Sequence, residues 1–259
     1  MELQDFIVET ARGAGEIIMQ HYGRVKSPRR KGDRGDIVTE VDIESEHYII
    51  ERIRSTFPDH NIISEEAGHV GEAQADYTWF IDPVDGTRNY ALGIPFFSVS
   101  IALAKGGAAE AGAVYDPLHD ELFFAARGQG AVMNGMKIQV SGEPDLEDAI
   151  ISVSWIRRRT EQSRFVSYVE RISRRTSYFR RLGSAALIAA YVAAGRVDAY
   201  LQGAINPWDI AAGALLVKEA GGLATDFEGK PINLTLPYTD ILAANPTLHG
   251  RILDEIIRG

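Results

Sequence analysis

The stretch Trp79-Phe80-Ile81-Asp82-Pro83-Val84-Asp85-Gly86-Thr87-Arg88-Asn89 joins an apolar run to two aspartates. Its first three residues read as the end of a short strand. Asp82 follows, Pro83 stiffens the exit, and Gly86 permits a tight turn. Thr87 then opens a short helix. Two carboxylates on so rigid a segment suit a hard cation that takes oxygen ligands, and the Val84 carbonyl between them offers a third. The backbone N–H groups of Gly86 and Thr87 would face the same spot and suit a phosphate. The same residue types also build plain surface turns. Against that reading stands the apolar run, which makes two unpaired carboxylates costly.

Other acids stand in comparable places. Glu65 and Glu66 follow the apolar Ile62-Ile63, again at a strand end. Asp209 follows Pro207-Trp208 and starts a helix, where an aspartate ordinarily just complements the helix dipole. Asp42 follows Ile37-Val38-Thr39 and starts another, where a plain N-cap is the simpler reading. Singly, each is weak.

The surrounding pattern mixes helices and strands. Apolar residues recur at helical spacing over 3–22, and over 42–57 with Ile43, Ile49, Ile50, Ile53 and Phe57 on the inward side. The charged, Gly- and Pro-rich segment between them predicts a hairpin or loop. Strands are expected at 78–81, 97–104, 111–115 and 121–125. Helices are expected at 162–175, 184–194, 208–220 and 248–257, with strands at 178–182, 197–201, 223–226 and 241–244 between them. No linker separates these elements, so the chain reads as one domain, 1–259, with subdomains 1–145 and 146–259. The fold class is α/β or layered α+β.

Composition narrows the function. The 259 residues are 45% hydrophobic and 24% charged, enough apolar material for a sizeable core. The net charge of -9 disfavours nucleic acid as a partner. The chain has no cysteine, which excludes disulfides, thiolate metal sites and a cysteine nucleophile. No apolar run reaches ~18 residues and no signal peptide is evident, so a cytoplasmic location with no membrane contact is expected. There is no Gly-x-Ser-x-Gly elbow and no His-Glu-x-x-His pair. Gly128-Gln129-Gly130 reads as a turn, His60, His69 and His119 as loop residues, and Trp208 as packing.

Taken together, the motifs resemble the inositol monophosphatase family of metal-dependent sugar phosphatases. One family signature is similar to residues 79–90, and a second to Asn206-Pro207-Trp208-Asp209 through Gly213, continuing to Gly222. Asp36–Asp42, Ser64-Glu65-Glu66 and Leu182–Ala186 follow in family order. The resemblance implies an α-β-α-β-α five-layer sandwich, a homodimer, and two to three Mg²⁺ ions per active site. It implies Glu65, Asp82 and the Val84 carbonyl as ligands of a first ion. Asp82, Asp85 and Asp209 would serve a second, with a looser third leaning on Glu65. Glu65 and Thr87, backed by Asp42, would orient the attacking water and take its proton. Asp85, Gly86, Thr87, Gly183, Ser184, Ala185, Asp209 and the loop lysine Lys31 would contact a small phosphorylated metabolite.

One position departs from the family pattern. Inositol-selective members carry a glutamate where this chain has Gln202, seven residues before Asp209. A neutral amide still bonds hydroxyls but gives up a charged acceptor. Inositol-1-phosphate is therefore the first candidate substrate. Fructose-1,6-bisphosphate, histidinol phosphate and nucleotide bisphosphates stand beside it. Arg88, Arg180 and Arg181 could meet a second phosphate or be solvated surface charges. The basic clusters Arg157-Arg158-Arg159 and Arg171, Arg174, Arg175 raise an RNA- or transcription-associated regulator as the non-enzyme alternative. A solvated helix face is the simpler reading of both clusters. A catalytically dead scaffold fits poorly with a complete acid set.

Overall fold

Among the described residues, one helix is apolar on every side and another is apolar between polar residues at its two ends, and the pair fixes the layering. Α5 (Ala185–Ala193) and α6 (Pro207–Glu219) are almost wholly buried. A helix without a polar face must be covered all round. The two pack together so tightly that a Cβ on Gly213 would lie 2.5 Å from Ala189 Cβ. Each face of the pair is covered by a sheet.

The computed structural model describes residues 2–24, 29–31, 36–71, 75–154 and 162–259. Its N-terminal half holds α1 (Leu3–His21), β1 (Arg29–Lys31), β2 (Asp36–Val38), α2 (Glu40–Thr56), β3 (Asn61–Ser64), β4 (Gly68–Val70), β5 (Tyr77–Asp85) and α3 (Thr87–Ala91). There follow β6 (Ser98–Lys105), β7 (Ala108–Asp116), β8 (Glu121–Ala126), β9 (Gly130–Met133) and β10 (Met136–Lys137). The second half holds β11 (Ile151–Val153), α4 (Gln162–Ser173), β12 (Phe179–Arg180), α5, β13 (Ala199–Ile205), α6, β14 (Leu223–Thr225), β15 (Thr239–Ala244) and α7 (Pro246–Arg251). A π-helical stretch, Ile252–Arg258, continues α7.

Eight strands form one sheet in the order β10-β9-β8-β7-β6-β5-β3-β4, and five form the other in the order β12-β11-β13-β15-β14. Side-chain alternation divides each sheet between two cores. In the larger sheet, Trp79, Ile81, Val99, Ile101 and Ala113 meet α1 and α2 through Phe6, Ile7, Ile18, Ile49 and Ile53. From its other face Phe80, Ala102, Val114 and Phe123 meet α5 and α6. Tyr200, Ile241 and Ala243 of the smaller sheet close that middle core. Their neighbours Ala199, Leu201, Leu242 and Ala244 turn outward to α4, α7 and the π-helical stretch. The architecture is the expected α-β-α-β-α sandwich.

Some local readings change. Ile43, expected inside, is 51% exposed. Ile49 and Ile53 are buried as expected, but their face continues through the polar Asp42, Ser45 and Glu46. Thr39, not Asp42, is the N-cap. Gly128 and Gly130 do form a turn, with φ of +74° and +83° and both N–H groups on the Glu219 carboxylate at 2.9 Å. His69 lies in β4, while His60 stacks between Phe57 and Tyr77. Arg171 of α4 and Arg174 and Arg175 just beyond its end are engaged within the molecule. Arg171 donates to Ile256 O at 2.6 Å, Arg174 pairs with Glu170, and Arg175 with Glu255. Arg157–Arg159 lie outside the described residues. Among the described residues, no helix is long and apolar enough to cross a membrane.

Candidate active site

The site begins with an irregularity in β5. Asp82 pairs with Ser100 of β6 and Asp85 with Ser98, so three steps on one strand oppose two on the other. In a regular strand, residues three apart point to opposite faces. The bulge, at a Pro83 that has no N–H for the ladder, restores them to the same face. That is the face of Phe80, looking into the middle layer. Asp82 and Asp85 are 1% and 4% exposed.

Two other carboxylates arrive from separate elements. Glu65 follows β3, the parallel neighbour of β5, and its N–H donates to Ile81 O at 3.2 Å. Asp209 stands in the first turn of α6, behind Asn206-Pro207, and accepts the N–H and amide of Asn206 on Oδ2 at 3.3 and 3.2 Å. One carboxylate oxygen each from Glu65, Asp82 and Asp209 lies within 4.8 Å of the others. Burial pushes the Asp82 carboxyl well above the usual aspartate range, and the charges of Glu65, Asp85, Asp209 and Asp42 push it further. Like charges held this close in a dry place call for a counter-cation, and an all-oxygen donor set suits a hard divalent ion.

Thr87 sits on the far side of Gly86, whose φ of +91° would strain any other residue. A Cβ there would also meet Phe96 O at 3.1 Å. The Thr87 hydroxyl lies 2.9 Å from Asp42 Oδ1 and 3.0 Å from Val84 O. With a single proton, it donates to one of them at a time. Asp42 Oδ2 accepts the N–H and hydroxyl of Thr39 at 2.8 and 2.5 Å. Burial nevertheless raises the Asp42 carboxyl, outweighing those bonds.

Asp85 is placed differently from the other three. Its Oδ2 accepts the Ser184 hydroxyl, Ala186 N at 2.8 Å, and more weakly Leu187 N and the Ser98 hydroxyl at 3.3 Å. Oδ1 accepts Ala185 N at 2.9 Å. The carboxylate thus closes the N-terminus of α5 across a hundred residues of sequence, where it complements the helix dipole. Oδ1 keeps a second lone pair that could face a cation. The same contact brings Gly183, Ser184 and Ala185 against Gly86. Asn89 clamps them there, donating to both Phe96 O and Leu182 O at 2.7 Å.

The remaining expected residues stand as follows. Gln202 is 7% exposed, and its Oε1 accepts the Tyr200 hydroxyl at 2.5 Å. Its carbonyl oxygen is therefore engaged inside the protein. Lys31 belongs to β1, whose partner β2 packs beside α3, but its side chain lies outside the described residues. Arg180 and Arg181 are exposed. Trp208 is half-buried against the middle core, and its carbonyl accepts the Ser100 hydroxyl at 3.4 Å. Three contributors were not foreseen from sequence: the clamp Asn89, the Ser98 hydroxyl on Asp85, and the buried Glu46. Glu46 lies four residues beyond Asp42, so the two share a helical face.

Comparison with known proteins gives the family. The Inositol monophosphatase family profile matches residues 1–258. A Thermotoga maritima protein named fructose-1,6-bisphosphatase/inositol-1-monophosphatase is 44% identical over 258 residues, covering 100% of this chain and 95% of the relative. The Escherichia coli Nus factor SuhB is 43% identical over 225 residues, or 86% of this chain and 84% of its own. The crystal structure of the SuhB protein of Bartonella henselae superposes with a TM-score of 0.92 at 34% identity, over 99% of both chains. With the whole chain matched in sequence and in fold, the protein belongs to the inositol monophosphatase family.

Proposed function

We propose that the chain is a Mg²⁺-dependent phosphatase that hydrolyses small phosphate monoesters, with inositol-1-phosphate the first candidate. The observation that carries this reading is the convergence of Glu65, Asp82 and Asp209. The active unit is the whole chain, 1–259, working as a cytoplasmic homodimer. Glu65, Asp82, the Val84 carbonyl, Asp85 and Asp209 would hold two to three Mg²⁺ ions. When bound, these supply charge neutralisation of the phosphoryl oxygens and an acidified water. The chain does the rest. Gly86 and Thr87 orient the phosphate, with Gly183, Ser184, Ala185, Gln202 and Lys31 around the alcohol portion. Glu65 and Thr87 Oγ1 orient the attacking water, and one of the two takes its proton. Thr87 can pass its own proton to Asp42 Oδ1, whose raised affinity for protons suits it to receive one.

Phosphate release should be measured with inositol-1-phosphate, fructose-1,6-bisphosphate, histidinol phosphate and 3′-phosphoadenosine 5′-phosphate, with Mg²⁺ and with chelator. Release from at least one ester, only with Mg²⁺, is expected. No release from any of the four would refute the reading. The Thermotoga relative's name supports a dual specificity covering the first two. A second reading comes from the relatives named Nus factor SuhB: a role in transcription through a partner. Direct RNA binding is disfavoured by the charge of -9 and by the engagement of Arg171, Arg174 and Arg175 within the molecule. A salt-sensitive RNA mobility shift would reverse that preference.

A further inference from the structure

Helix α2 presents three polar residues, Asp42, Ser45 and Glu46, to the site from one buried face. Each grips a different loop. Asp42 takes the Thr87 hydroxyl, Ser45 donates to Pro83 O at 3.3 Å within the bulge, and Glu46 holds the turn that follows β3. Glu46 is 5% exposed. Its Oε1 accepts the Ser64 hydroxyl, Glu66 N at 3.0 Å and Ala67 N at 3.0 Å. Those three donors bracket Glu65. A buried carboxylate is expensive unless its bonds are met, and here it is spent on fixing a single turn.

We propose that Glu46 is a positioning residue for the cation site, setting where the Glu65 carboxylate stands relative to Asp82 and Asp209. The proposal rests on the reading of those three as cation ligands. Residues behind metal ligands orient them, and losing one typically weakens metal affinity about 10- to 100-fold. Glu46 does this through the backbone. The Ser64 hydroxyl and two consecutive N–H groups converge on one oxygen, so the turn cannot rotate without breaking all three bonds. Glu46→Ala leaves the three donors without their acceptor and the turn free to swing. Glu46→Gln keeps an acceptor oxygen at the same reach but removes the charge.

The test is Mg²⁺ binding to the full chain by calorimetry, well below the melting temperature, for the wild type and both variants. The half-saturating Mg²⁺ for phosphate release is read in parallel. Glu46→Ala should weaken Mg²⁺ binding about tenfold or more, and Glu46→Gln should recover most of it. Equal weakening in both variants would overturn the proposal, because it would assign the effect to charge alone. Wild-type affinity in Glu46→Ala would overturn it too. Should Glu46→Ala fail to fold, Glu46→Asp decides by the same measurement. Its carboxylate is one methylene short of the turn, so unchanged Mg²⁺ affinity there refutes positioning. A wild type that binds no Mg²⁺ would instead defeat the underlying cation-site reading, a distinguishable result.

Discussion

Asp82→Asn is expected to lower Mg²⁺-dependent phosphate release by about a thousandfold or more while leaving the metal-free protein at least as stable as the wild type. The two halves of this expectation have one cause. Asp82 is 1% exposed and faces Glu65 and Asp209, so its charge is disfavoured until a cation arrives. Its folded carboxyl titrates well above the ordinary 3.8. A group shifted upward favours folding most below its unfolded value, and that contribution is lost as pH rises through the folded value. At neutral pH the metal-free wild type therefore carries a penalty that the neutral amide avoids. The amide oxygen can still accept Val84 N, as Asp82 Oδ1 does at 3.1 Å, so the bulge is kept. Thermal scans with chelator should place the variant level with or above the wild type at pH 7, with the gap narrowing toward pH 4. Added Mg²⁺ should raise the melting point of the wild type alone. Protons and cations compete for Asp82, so half-saturating Mg²⁺ should rise as pH falls. Normal turnover of Asp82→Asn at saturating Mg²⁺ would remove Asp82 from the ligand set.

How much of this is legible in the sequence depends on the distance over which each residue acts. The Asp82 turn was legible because a buried strand, a proline and a positive-φ glycine are local features. Glu65 and Asp209 were legible as strand-end and helix-start acids, but only the fold brings them together. Two parts were hidden. Asp82 and Asp85 look like equivalent partners in sequence, and the bulge that puts them on one face is a property of the pairing with Ser98 and Ser100. Glu46 was hidden because it continues the inward face of Ile49 and Ile53 with a charged residue. Ile43 reads as inward and is exposed, while three polar neighbours are buried. Polar residues are drawn inward there by the loops they hold, which hydrophobic periodicity cannot register.

Asp85→Ala is the substitution expected to damage the fold most. Its carboxylate receives the Ser184 hydroxyl, the N–H groups of Ala185, Ala186 and Leu187, and the Ser98 hydroxyl. Burial raises the Asp85 carboxyl, and those donors pull it back toward ionisation. Removing it leaves the first turn of α5 without its acceptor in the interior, at about 1–3 kcal/mol for each donor that finds no substitute. Partial relaxation makes a total of about 3–5 kcal/mol reasonable. For a chain of this length, that corresponds to a fall in melting temperature of about 10 °C. Activity should fall as well, because Gly183–Ala185 would no longer be held against Gly86. Ser184→Ala removes one donor and should cost only about 1 kcal/mol. Asp85→Asn keeps the shape but turns an amide N–H₂ toward backbone N–H groups, so it should fall between the two. The comparison with Asp82→Asn separates the two roles a site carboxylate can have. A residue that serves only as a cation ligand destabilises the metal-free protein when present, whereas a helix cap stabilises it. If Asp85→Ala melts at the wild-type temperature in chelator, Asp85 is a ligand and not a cap, and its bonds to α5 carry no net stability.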